Sequence, residues 1–237
     1  MNGPLGGRAA VVTGASRGIG LAIARELVRA GARVAMLARG AQALAARAAE
    51  LGATAHAVPC DVRDADAVAR AAAAITSAFA APPDILVNNA GVFRPAPLDR
   101  TTPEDFADTL RVNLVAPFTL MHAFLAGMRA RGSGHIVTIG SVSDRVIFAE
   151  NASYSASKFG LRALHEVTRT ELRGTGVRAT LVSPSSTDTG IWDDRAGTGR
   201  FPPRSAMLPA DAVAAAVLFA VTQPARVNVD ELRLSTS

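Results

Sequence analysis

Short apolar runs alternate along the chain with longer stretches in which apolar residues recur every three or four positions. The runs at 8–12, 33–38, 55–59, 84–87, 135–139 and 177–182 read as strands, with a last one over 227–234. Between them, 18–30, 42–51, 65–79, a long segment opening near Thr102, 152–173 and 209–222 read as helices. In 18–30 the residues Ile19, Ala22, Ile23 and Leu27 fall on one face. Thr102 followed by Pro103 has the form of an N-cap with proline at the first helical position. This alternation predicts an α/β fold: a doubly wound, parallel, seven-stranded sheet between two layers of helices. Ligands then bind at the carboxyl ends of the strands. No linker or repeat is evident, so 1–237 is expected to be a single domain. The one long irregular stretch, 183–208, is rich in Pro, Gly and Thr and is expected to supply a substrate lid at about 185–208.

Composition narrows the function classes. A hydrophobic content of 49% and a mean hydropathy of +0.22 describe a chain that buries a core. Cys60 is the only cysteine, which excludes an intrachain disulfide and fits a reducing, cytoplasmic setting. Residues 1–7 have neither the basic nor the apolar region of a signal peptide. The run 212–221 is too short to span a bilayer, so no membrane partner is expected. The net charge is +5 and the pI about 10.8, but the arginines are scattered singly and no nucleic-acid partner is expected. His56, His122, His135 and His165 share no ligand spacing with one another or with Cys60, so no metal is expected.

The first strand runs into Thr13-Gly14-Ala15-Ser16-Arg17-Gly18-Ile19-Gly20 and then a helix. Glycines let such a turn bend and let a pyrophosphate approach the backbone, while the helix N-terminus offers free N–H groups and a positive dipole end. The strand–turn–helix context is the one a dinucleotide site requires. In such folds an acid near the end of the second strand binds the ribose 2′-hydroxyl of NAD, and an arginine suits the 2′-phosphate of NADP. Here that strand ends Leu37-Ala38-Arg39, with no carboxylate, and Arg17 stands within the turn. NADP(H) is the expected cofactor.

The chain has one tyrosine, Tyr154, and one lysine, Lys158. They lie four apart on a predicted helix and share a face. A free phenol titrates near pKa ~10, too high for acid–base work at neutral pH, and a neighbouring cation favours its ionised form. Such a pair suits proton exchange with an alcohol or carbonyl oxygen. The fifth strand ends Ile139-Gly140-Ser141, at the sheet edge where ligands bind, and Asn113 falls within a helix.

In Thr13–Gly20, Asp61-Val62, Asn88–Gly91, Asn113, Ser141 and Tyr154–Lys158, in that order and spacing, the chain resembles the compact branch of the short-chain dehydrogenase/reductase family. The resemblance spans nearly the whole chain and implies a Rossmann fold. It implies that Tyr154 is the acid–base group, and that Lys158 holds the nicotinamide ribose and lowers the tyrosine pKa. It implies that Ser141 hydrogen-bonds the substrate oxygen and that Asn113 holds a relay water. Gly14, Ser16, Gly18, Ile19 and Gly20 would bind the cofactor at the glycine-rich turn, and Arg17 within it is a second candidate for the 2′-phosphate. Arg39 would meet the 2′-phosphate, and Asp61 and the Val62 backbone the adenine. Asn88 would brace Thr13, with Asn89, Ala90 and Gly91 bordering the adenosine ribose. Pro184, Ser185, Thr187 and Thr189 follow the sixth strand where the family binds the nicotinamide carboxamide, with Ser185 in place of a glycine.

These features imply a hydride-transferring oxidoreductase acting on a carbonyl or secondary alcohol. The ending Val227–Leu232 resembles that of NADP-dependent hydroxy-acid dehydrogenases and carbonyl reductases. Other readings are a ketoreductase acting on 3-oxoacyl groups of an acyl carrier protein, and a non-catalytic cofactor sensor. An epimerase or dehydratase of the extended branch would have another glycine spacing and a longer chain. Arg195, Arg200 and Arg204 could meet an anionic substrate, whereas Ile191, Trp192, Phe201 and Met207 suggest an apolar wall. A homotetramer through the helices carrying Asn113 and Tyr154 is expected, with a dimer as the alternative.

Overall fold

The computed structural model describes residues 3–193 and 201–237. Its strands are β1 (Ala9–Thr13), β2 (Arg33–Ala38), β3 (Ala55–Pro59), β4 (Ile85–Asn88), β5 (Gly134–Ile139) and β6 (Val177–Pro184), then the short β7 (Thr187–Asp188) and β8 (Leu208–Pro209), then β9 (Glu231–Leu234). Seven of them form one parallel sheet in the order β3-β2-β1-β4-β5-β6-β9. The helices are α1 (Gly18–Arg29), α2 (Ala41–Leu51), α3 (Ala65–Phe79), α4 (Pro103–Leu110), α5 (Ala116–Arg131), α6 (Ala152–Glu171) and α7 (Ala210–Thr222).

The central strands read as continuous apolar runs because helices cover both faces. Every residue of β1, β4 and β6 is buried. On one side Val12, Val34 and Val87 pack with Ile23 and Leu27 of α1 and Val213 and Val217 of α7. On the other, Val11, Leu86 and Ile136 pack with Val68 and Ile75 of α3 and Leu120 and Phe124 of α5. The helical run Pro103–Arg131 is long and apolar enough to cross a membrane by length and composition alone, and its Leu120, Met121, Phe124 and Met128 face this core. Local signals fix the element starts. Asp64 caps α3 by accepting from Asp66 N and Ala67 N at 2.9 and 3.1 Å. Thr102 caps α4 by accepting from Asp105 N at 3.1 Å, with Pro103 next.

Three features depart from the pattern reading. The last strand is confined to Glu231–Leu234, because Asn228 instead bonds the Ala179 backbone from the side, its Oδ1 accepting from Ala179 N at 3.1 Å and its Nδ2 donating to Ala179 O at 3.0 Å. The stretch expected to be irregular over 183–208 begins within β6 and includes the β7–β8 ladder. Between α4 and α5 the helix widens into a π-turn over Arg111–Val115, where Ala116 N reaches back five residues to Arg111 O. The sheet order reverses direction between β1 and β4, which opens a crevice at their carboxyl ends.

Candidate active site

Thr13 at the end of β1 joins the two turns that flank the crevice. Its hydroxyl accepts from Asn89 N and Ala90 N, both at 2.9 Å, and its carbonyl accepts from Asn89 Nδ2 at 2.8 Å. The bracing role expected of Asn88 thus falls to Asn89. Successive side chains of a strand point to opposite faces, and the Asn88 amide is buried with no hydrogen-bond partner on either atom among the described residues. Gly14 and Gly18 take left-handed φ values of 67° and 57°. A Cβ on Gly20 would lie 2.3 Å from Gly14 O and 2.5 Å from Asn89 Nδ2, so only glycine lets α1 start this close to the turn. The first turn of α1 has no side-chain cap and no acidic residue.

One cavity of about 1150 Å³ follows the carboxyl edge of the sheet. Gly14, Ser16, Arg17, Gly18, Ile19 and Gly20 line it, as do Arg39, Asp61, Val62, Asn89, Ala90 and Gly91, and then Pro184, Ser185, Thr187 and Thr189. Its other end holds Ser141, Tyr154 and Lys158. Arg17 and Arg39 are exposed at its border, and among the described residues neither is paired with a carboxylate. The Asp61 carboxylate is gripped by Arg63, Nε to Oδ1 at 3.0 Å and NH2 to Oδ2 at 2.6 Å, which holds it below the usual carboxylate range. Ser185 lies outside the left-handed region, so a side chain there costs no backbone strain. Its N–H donates to Leu234 O at 2.8 Å.

The polar groups at the far end are supported from behind. Lys158 Nζ donates to Ile139 O at 2.9 Å and lies 5.7 Å from the Tyr154 ring centroid. Burial brings the Lys158 ammonium down to about 8, opposed by the negative charge of Asp144. Lys158 is not among the groups that shift the Tyr154 phenol in this arrangement. Removal from water pushes the phenol up, hydrogen bonding with the Ser141 side chain pulls it partly back, and Asp144 raises it further. Asn113 lies behind the cavity wall in the π-turn. Its Oδ1 accepts from Val92 N at 2.8 Å, and its Nδ2 donates to Val92 O and Ser157 Oγ, both at 3.0 Å. Ser157 Oγ in turn donates to Tyr154 O at 2.7 Å. Asn113 therefore clamps the exit of β4 to the helix that carries Tyr154.

Two groups escaped the sequence reading. The first surrounds Asp144, whose side chain is 0% exposed. Its Oδ2 accepts from Ser183 Oγ at 2.6 Å and Ser141 N at 3.5 Å, and its Oδ1 from Arg145 Nε at 2.7 Å. Arg162 NH1 lies 3.7 Å from Oδ1, and both arginines also pair with Glu231 of β9. The signal was the Ser-x-x-Asp spacing of a capping box from Ser141 to Asp144. The second is Phe93, two residues beyond Gly91, which lies edge-on to Tyr154 with centroids 4.9 Å apart. The lid residues Arg195 and Arg200 lie outside the described residues.

The family model described as short chain dehydrogenase matches residues 8–198. D-threitol dehydrogenase from Mycolicibacterium smegmatis is 37% identical over 96% of this chain and 91% of its own length. A metagenomic short-chain oxidoreductase solved in complex with NADP is 36% identical, covers 99% of each chain and superposes with a TM-score of 0.85. An alcohol dehydrogenase from Thermococcus sibiricus, complexed with 5-hydroxy-NADP, is 30% identical, covers 97% of this chain and 96% of its own, and has a TM-score of 0.86. The chain belongs to the short chain dehydrogenase family, a family of dehydrogenases and reductases acting on alcohol and carbonyl groups.

Proposed function

We propose that this protein is an NADP(H)-dependent reductase of a ketone or aldehyde, reversible as an alcohol dehydrogenase. One observation carries the reading: the only tyrosine and the only lysine meet Ser141 at the far end of the cavity that the Gly14–Gly20 turn opens. The residues fit the cofactor. Gly20 lets α1 start against the Gly14 turn, the first turn of α1 leaves N–H groups for a pyrophosphate, and among the described residues Arg17 and Arg39 pair with no carboxylate and can meet a 2′-phosphate. When bound, NADPH supplies the hydride that reduces the carbonyl carbon.

Ser141 holds the substrate oxygen by hydrogen bonding as negative charge develops on it. Tyr154 gives that oxygen its proton, leaving an alcohol and a tyrosinate. Lys158 in its ammonium form favours the tyrosinate once the nicotinamide ribose brings the groups together. Asn113 fixes both Val92 and the Ser157 turn of α6, and so the position of the phenol. Of the expected lid, about 185–208, the described residues Ile191, Trp192 and Phe201 border the cavity and would cover the substrate, while 194–200 lie outside the described residues. Val115 at the end of the π-turn, Phe118 of α5, and Phe159 and Val167 on α6 are exposed apolar side chains that support assembly into a homotetramer.

The decisive experiment replaces Tyr154 by Phe. Turnover with any carbonyl substrate should fall about a thousandfold while NADPH still binds. Near-normal turnover in Tyr154→Phe would defeat the assignment. NADH binding as tight as NADPH binding would defeat the cofactor reading.

A further inference from the structure

The chain has nine phenylalanines, one tryptophan and one tyrosine. Five of these eleven rings (Phe93, Phe148, Tyr154, Trp192 and Phe201) line the cavity at the carboxyl edge of the sheet. Phe93 is the hub. Its centroid lies 4.9 Å from that of Tyr154, 5.3 Å from Trp192 and 6.0 Å from Phe201, and Trp192 and Phe201 are 5.4 Å apart. The interplanar angles of 55–79° set the rings edge-to-face or tilted, the geometry that aromatic groups prefer.

This wall is held from both sides. The Asn113 amide bonds both backbone groups of Val92, the residue before Phe93. The Trp192 indole N–H donates to Thr187 O at 2.9 Å, which occupies the one polar atom of that side chain. What the two rings offer a ligand is apolar surface. The nearby cations are engaged elsewhere: Arg94 pairs with Asp108 at 2.7 Å, and Arg204 with Asp188 and Asp193. Arg17, whose guanidinium lies beside Gly190, is the exception: it has no carboxylate partner among the described residues, and the NADP(H) reading gives it to the cofactor phosphate.

We propose that the substrate is a ketone or aldehyde whose carbonyl bears an aromatic ring, seated against Phe93 and Trp192 with its oxygen toward Ser141 and Tyr154. This rests on the reading of the site as a carbonyl reductase. Reduction converts the aryl carbonyl to the benzylic alcohol: hydride from NADPH reaches the carbon, the Tyr154 proton reaches the oxygen and is replaced from water, and NADP+ is released.

The test measures NADPH oxidation with aryl ketones and aldehydes, alkyl ketones of equal heavy-atom count, polyhydroxy ketones and 3-oxo acids. Binding is followed separately through the fluorescence of Trp192, the only tryptophan. Aryl carbonyls should show the highest kcat/KM and should perturb the Trp192 emission. In Phe93→Leu, which keeps an apolar side chain but removes the ring, the aryl-to-alkyl ratio of kcat/KM should drop about fivefold. If alkyl, polyhydroxy or 3-oxo compounds are reduced better than aryl ones, the substrate proposal is overturned and the reductase reading stands. If aryl compounds lead but Phe93→Leu leaves the ratio unchanged, the aromatic wall is not what selects them, and the proposal fails. If no carbonyl compound is reduced, the reductase reading falls and this proposal with it.

Discussion

At the scale of single residues, Asp144 shows how a charge out of reach of water can govern its neighbours. Two arginines and a serine hydroxyl compensate it, and it acts in turn on Tyr154 and Lys158. Removing one member of a buried ion pair leaves its partners uncompensated. Asp144→Asn should therefore lower stability by about 3 kcal/mol, measured by urea denaturation. It should also change the pH profile in a predictable direction. Asp144 supports the Lys158 ammonium against burial, so without it the lysine loses its proton at lower pH. The alkaline limb of kcat/KM for NADPH should then move to lower pH. A variant with unchanged stability and an unmoved limb would show that Asp144 is a passive charge. Tyr154, Lys158 and Ser141 were legible in the sequence because few residue types can do their chemistry and two of them occur once. Asp144 was not, because an acid next to an arginine in a loop reads as a solvated pair until the fold buries it.

At the scale of elements, the helical run from α4 to α5 is instructive. In an α-helix the carbonyl of Asn113 would accept from residue 117, which is Pro117 and has no N–H. The widened turn over Arg111–Val115 accommodates that missing donor and puts Asn113 where it grips Val92 and Ser157. The proline four residues on was the available signal, but periodicity alone reads the whole run as one helix. The start of α1 was the opposite case. Its glycines and preceding strand announced it, and the close approach to Gly14 and Asn89 explains why they are needed. Gly20→Ala should destabilise the protein by about 1–3 kcal/mol. It should also weaken NADPH binding well beyond that of the parent chain, read by thermal melting and by cofactor titration. Unaltered affinity would mean that α1 can retreat from the turn freely.

At the scale of the whole molecule, pairing across the sheet decides the response to acid. His135 on β5 sits opposite Arg178 on β6 and bonds Thr180 Oγ1 at 2.8 Å. His165 of α6 meets Thr138 Oγ1 at 3.3 Å. Burial, with Arg178 adding to it for His135, lowers the two to about 3 and about 4. Both rings are therefore neutral in the folded protein at pH values where the unfolded chain, titrating near 6.5, takes up protons. Above that value the two states bind the same number and nothing is lost. As pH falls below it, the unfolded state gains protons that the native state refuses, and stability declines until the folded values are reached. Between pH 6 and pH 5 the pair should remove about 2 kcal/mol. Denaturation curves across this range should show it, and His135→Asn/His165→Asn should flatten the decline. The seven-stranded parallel architecture was legible from alternation alone. The neutrality of these histidines was not, because it depends on which strand neighbours which.

The last strand has a consequence for the timing of activity. Leu234 accepts the N–H of Ser185, and Glu231 anchors both arginines that hold Asp144 beneath Ser141. A chain growing from its N-terminus completes the glycine-rich turn early, with Tyr154 and Lys158 in place soon after, yet the wall behind them is missing until residue 234 has emerged. Nascent chains stalled short of β9 should bind little NADPH and reduce nothing, so that competence arrives with the final strand.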